Sequence, residues 1–116
     1  MKAKQVWTHC RRLAGSTDQI QWEKDLVFKV GGKMYVCSGM ETDSRYSFKV
    51  DDHRFLELTD LPGIEPAPYL ARHHWVQINP AACPLGAAEL KELISRSHAL
   101  VLGKLSKKKQ REILGE

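Results

Sequence analysis

The sequence has no long apolar run. Its longest stretch without Asp, Glu, Lys or Arg, from His73 to Ala88, holds two His, Gln, Asn and two Pro. A membrane-spanning helix needs about 20 consecutive, mostly apolar residues, so no span is expected. An export signal is not expected either. Lys2 and Lys4 resemble a basic leader, but His9, Arg11 and Arg12 interrupt what would be its apolar core. The expectation is a cytoplasmic chain. Cysteine is scarce: Cys10, Cys37 and Cys83, an odd count with no C-x-x-C spacing. That pattern excludes a disulfide framework and a common zinc site. The chain also lacks G-x-S-x-G, H-E-x-x-H, a P-loop and G-x-G-x-x-G, so no recognisable constellation points to catalysis. There are no internal repeats and no low-complexity linkers.

What is present describes one folded domain over residues 1–116, with 42% hydrophobic and 28% charged residues. The net charge of +4 is uneven. Residues 1–25 carry five Lys/Arg against three Asp/Glu, and residues 101–116 carry five against two. A basic excess at both ends suits an anionic partner such as nucleic acid.

Hydrophobic periodicity places the elements. Val6, Cys10, Leu13 and Ala14 recur at helical spacing, and Gly15 ends that helix. A short polar loop through Thr17 and Asp18 follows. Leu26–Val30 and Lys33–Cys37 are β-rich, and Gly31-Gly32 between them supplies a tight hairpin turn. Arg45–Val50 is the next strand. Asp51 or Asp52 caps a helix that runs to Leu61, which Pro62-Gly63 stops. Ile64–Leu70 is extended or turn-like around Pro66 and Pro68, and reads as a stiff connection to the strand Trp75–Ile78. Leu90, Leu93, Ile94, Val101 and Leu105 form a helical stripe, and Ser106 caps a last helix from Lys107 to Leu114.

Along the strands, Phe28, Val30, Met34, Val36, Tyr46, Phe48 and Val50 alternate onto one face. Lys29, Lys33, Tyr35, Arg45, Ser47 and Lys49 then fall on the other, with Val27 out of pattern. The expected architecture is α+β: an antiparallel sheet with helices packed on one face and the other face open and basic.

Several stretches together resemble the MmcQ/YjbR-like family: Trp22 with Leu26–Tyr35, then Phe48-Lys49-Val50, Pro66-Ala67-Pro68-Tyr69-Leu70, Trp75-Val76, Ser97 and Leu105. Ala14-Gly15 departs from the Pro-Gly that many members carry at that turn. The resemblance implies a CyaY/frataxin-like fold and a role in DNA binding through a double-wing arrangement. It carries no assigned catalysis. The frataxin likeness raises iron, but frataxins resemble one another in an acidic first helix, and here that segment carries Lys2, Lys4, Arg11 and Arg12.

The functional expectation is a small non-catalytic nucleic-acid-binding module, with DNA favoured. Lys29, Lys33, Arg45 and Lys49 would contact phosphates, and Tyr35 and Trp75 would stack on bases. Lys107, Lys108, Lys109 and Arg111 on the last helix would add electrostatic attraction. The alternative is a protein-interaction module on the same open face, with Trp75 and Tyr35 as anchors. His73-His74 and Cys83 match no metal-ligand spacing, and Asp51-Asp52 read as a helix cap. No cofactor or metal is expected, no membrane contact, and a monomer.

Overall fold

The computed structural model describes residues 1–116. Six strands form one antiparallel sheet in the order β1-β2-β3-β4-β6-β5. They are β1 (Ser16–Gln21), β2 (Asp25–Val30), β3 (Lys33–Gly39), β4 (Tyr46–Lys49), β5 (Ile64–Pro66) and β6 (Trp75–Ile78). The first four run as a meander. The chain then passes through helix α2 (Asp52–Thr59), lays β5 at the far edge, and returns to insert β6 between β5 and β4. Helices α1 (Ala3–Arg11), α3 (Ala87–Leu102) and α4 (Lys107–Leu114) complete the fold. The α+β, one-sided architecture expected from the sequence is what forms.

The segment expected to be a polar loop is instead an edge strand. Thr17 and Asp18 lie in β1, which pairs with β2 from Ser16↔Val30 to Gln21↔Asp25. Every β1 side chain is exposed or half-buried, so no apolar alternation marks it. Backbone pairing with a neighbour, not burial, makes it a strand.

The core lies between the sheet and α1, α2 and α3. Leu90, Leu93, Ile94, Val101 and Leu102 of α3 meet Phe28, Val36, Phe48 and Val76, while Val6 and Cys10 of α1 close one side. A polar clasp joins α3 to the sheet. The buried Ser97 Oγ accepts the Lys49 backbone N–H (3.0 Å) and donates to the Tyr35 carbonyl (2.8 Å). Ser97→Ala strands both groups at once, each at about 1–3 kcal/mol if left unpaired. The expected result is a loss of about 2–4 kcal/mol, read as a fall in Tm of roughly 10 °C in thermal unfolding.

A β-bulge decides which side chains face which way. Phe28 pairs with Val36, but the next residue, Lys29, pairs with Met34, leaving Tyr35 as the extra residue. Tyr35 and Val36 therefore both turn toward the helices and are fully buried. From there to the hairpin the facing is reversed. Met34, expected on the core face, lies beside Lys29 on the open side, and Lys33, expected on the open face, sits opposite the buried Val30 on the helix side.

Candidate nucleic-acid interface

The helix-free face is built from cross-strand rows. One row runs Gln19, Val27, Cys37, Ser47, Gln77, Glu65, and the next Thr17, Lys29, Met34. On β4 and β6, Lys49 pairs with Trp75 on this same face. The face is mixed in character, with apolar and polar residues side by side and Asp25 and Glu65 among the cations.

Neither of the two aromatic residues assigned to stacking is available for it. Tyr35 is fully buried on the helix side. Its hydroxyl meets Ser16 Oγ (2.6 Å) and donates to the Cys10 carbonyl (3.3 Å), and its ring meets the His98 ring edge-on at 5.1 Å. Burial pushes the phenol well above its usual range. The alternation that put Tyr35 on the open face fails because the bulge inserts one residue. Trp75 does lie on the open side, but only 5% of it is exposed. The connection beside it is tied to its own backbone: Ala67 N–H donates to the Trp75 carbonyl (2.9 Å) and Trp75 N–H to the Leu70 carbonyl (3.3 Å).

The aromatics actually presented are two that the sequence marks only as motif residues, without a stacking role. Trp22, in the β1–β2 turn, is 64% exposed, and Tyr69, between β5 and β6, is 99% exposed. Both hold positive φ, 53° and 65°. For bulky side chains this region costs on the order of 1–3 kcal/mol. Tyr69 occupies the third position of a turn closed by Leu70 N–H to the Ala67 carbonyl (3.1 Å), where glycine is the usual choice after Pro68. Signals existed in the sequence. Trp22 stands in Gln-Trp-Glu-Lys-Asp with no apolar neighbour to pack on, and Tyr69 follows a proline at a turn.

Trp22 and Tyr69 line one groove of about 460 Å³ across the open face. Cys37, Ser47 and Gln77 from the central row also line it, with Met34, Asp25 and Arg45. That volume is within the ordinary range of ligand sites.

The cations divide into two groups. Arg45 precedes β4, four residues before Lys49, so about 13 Å of strand separates them. Lys29, Lys33 and Lys49 lie toward the other end, by the Gly31-Gly32 turn. There the fold adds more positive charge. Gly31, at φ 56°, packs so closely on Leu105 that a Cβ would overlap its side chain. This brings the hairpin to the α3–α4 junction, where Lys104 adjoins Lys49. At α4, Ser106 Oγ accepts the Lys109 N–H (3.2 Å), and Lys107, Lys108 and Lys109 fill a first turn that has no acidic residue. Arg111 follows one residue after Gln110, and Ile113 anchors the helix against Gly15. Lys49 is only partly free. Its Nζ donates to the His73 carbonyl (2.6 Å), and burial, then repulsion from Lys104, lowers its pKa.

Other candidate chemistry resolves into structure. Burial pushes the Cys10 thiol up to about 12 and Cys37 up to about 11, so neither is an activated thiolate near neutral pH. His74 Nδ1 lies 2.6 Å from Asp52 and its ring meets Phe55 edge-on at 5.3 Å. Asp51 bonds the Arg96 guanidinium at 2.9 and 3.0 Å. No group of three or more His, Cys, Asp or Glu converges in a metal-binding arrangement. No helix is long and apolar enough to cross a membrane.

The fold and this face define a two-layer α+β protein with its α-helices on one side of the sheet only, although Val27, Ser47 and Trp75 on the other side are themselves buried. The YjbR family model matches residues 11–100, and the chain belongs to the YjbR family. The crystal structure of a protein from Pseudomonas syringae superposes with a TM-score of 0.72 at 24% identity, covering 87% of this chain and 99% of that one. The two share a fold. No curated protein matches the sequence.

Proposed function

We propose that the protein is a non-catalytic nucleic-acid-binding module that takes a single strand, preferably DNA, along the open sheet face. The observation that carries this reading is the placement of two exposed, conformationally strained aromatics in one groove, on a face whose margin is rich in lysine. Trp22 and Tyr69 supply stacking platforms. Lys29, Lys104 and the first turn of α4 contact phosphates at one end, and Arg45 does so at the other. The positive end of the α4 dipole adds to the same field.

Asp25 and Glu65 on the same face favour a second reading, docking of a protein partner with Trp22 and Tyr69 as anchors. Salt separates the two. Fluorescence anisotropy against an oligothymidine strand, at about 50 and 200 mM salt, is expected to show affinity falling at least tenfold. Trp22→Ala and Tyr69→Ala are each expected to weaken binding by about tenfold, the scale of one lost base stack. No binding at the lower salt overturns the reading. Binding that is flat across the two salts favours the protein partner.

A further inference from the structure

β1 is the outermost strand, and its far edge pairs with no other strand. Ser16 N–H donates to the Leu13 carbonyl (3.2 Å), away from β2. Main-chain groups alternate along a strand, so the N–H and C=O of Asp18 and Ile20 also point outward. Folded proteins commonly blunt such an edge with proline, lysine, a bulge or extreme shortness. At the opposite edge β5 does so, being three residues long and ending in Pro66. β1 does not. It is six residues long, and its one charge, Asp18, is met by Arg11 at 3.4 Å.

Beside this edge, on the helix side, runs a shallow groove of about 670 Å³ between β1 and α1. Trp7, Ile20, Leu26 and Met40 give it an apolar lining, with Lys4, Arg11 and the Arg11-paired Asp18 at its margin, a net charge of one positive. Ile20 is 57% exposed and Met40 43%. Lys4 has no acidic partner.

We propose that β1 is a strand-addition site for an extended peptide whose groove-facing positions are apolar in the centre and acidic at the ends. The outward N–H and C=O groups of Asp18 and Ile20 pair with the peptide backbone. Alternate side chains enter the groove over Ile20 and Met40, and flanking carboxylates meet the unpaired Lys4 at one end and, at the other, Arg11, whose guanidinium Asp18 already shares at 3.4 Å. Charge disfavours a second copy of the chain as the occupant. Two-fold pairing of β1 with itself sets both α1 helices on the same side, Lys4 and Arg11 against their own equivalents. This surface is distinct from the open face, so the proposal stands apart from the nucleic-acid reading.

The probe is the capped peptide Glu-Thr-Val-Thr-Val-Thr-Glu, with Lys-Thr-Val-Thr-Val-Thr-Lys as control, titrated by NMR into the full chain. The expected result is saturable shifts along β1, slowed hydrogen exchange at the Asp18 and Ile20 amides, and about tenfold weaker binding of the lysine peptide. Ile20→Pro removes an outward N–H that no neighbouring strand uses, and is expected to weaken binding at least about tenfold. Should that variant fail to fold, Met40→Glu places a repelling carboxylate in the groove from an exposed bend, and a similar loss is expected. Absence of shifts at about 1 mM peptide, where even a weak complex forms, overturns the proposal. So do equal affinities for the two peptides, shifts confined to the open face, unchanged binding in a folded variant, or a free chain that sediments as a dimer.

Discussion

Replacing Lys107, Lys108 and Lys109 together by glutamate is expected to reduce affinity for a single DNA strand by about two to three orders of magnitude at low salt, with the fold intact. Each phosphate contact releases condensed counterion, and for single strands the slope of log affinity against log salt is about −0.7 per contact. Losing three contacts therefore flattens the slope by about 2, and reversing the charges adds repulsion. The three side chains are exposed. α4 is held instead by Ile113 against Gly15, by the Ser106 cap, and by Gln110 Nε2 donating to the Leu105 carbonyl at 2.8 Å. Removing three cations from the positive end of a helix relieves a mild conflict with its dipole, so the thermal midpoint is expected to hold or rise. Anisotropy titrations at several salt concentrations, with circular dichroism as the fold control, check both parts. An unchanged slope would remove α4 from the interface.

Tyr35→Ala is expected to be among the most destabilising single changes, at about 3–5 kcal/mol, the range for emptying a large aromatic site. That is a large share of the total stability of about 5–15 kcal/mol usual for a domain. It corresponds to a fall in Tm of roughly 15 °C or more, or to failure to fold. The side chain is fully buried, between α3 through His98 and α1 through the Cys10 carbonyl. Tyr35→Phe keeps the ring and removes the hydroxyl from Ser16 and Cys10, and is expected to lose only about 1 kcal/mol. Its nucleic-acid affinity is expected to stay unchanged, because the ring never reaches the open face. A folded Tyr35→Phe protein that bound DNA tenfold more weakly would contradict the facing that the bulge imposes. Chemical denaturation and anisotropy on the same samples test the two statements together.

Much of the fold was legible because local rules and tertiary packing agree in most of it. The Gly31-Gly32 hairpin, the proline-bounded connection after Gly63, the α3 stripe and the Ser106 cap follow from turn chemistry, periodicity and capping that act within a few residues. The candidate site was less legible, since facing is a cumulative property. Period-2 alternation names the face of a residue only while every residue is paired. The extra residue opposite the Phe28–Lys29 step sends Tyr35 to the core and Met34 to the surface. β1 was missed for a different reason. Its burial is slight, and a strand held by backbone pairing alone leaves little trace in side-chain pattern.

By itself, the sequence determined the α+β class, most of the helices and strands, the one-sided layering, the basic last helix and, through its assembled motifs, the family. These rest on residues close together in the chain, where hydrophobic period, glycine and proline act directly. Tertiary structure alone decided which aromatics reach solvent. It buried Tyr35 through a bulge, left Trp75 only 5% exposed on the open side, and lifted Trp22 and Tyr69 out at positive φ. It also drew Lys104 and α4 to the hairpin through the Gly31–Leu105 contact. These outcomes depend on partners distant in sequence. The same six or seven residues present a different face when a neighbouring strand pairs one position over.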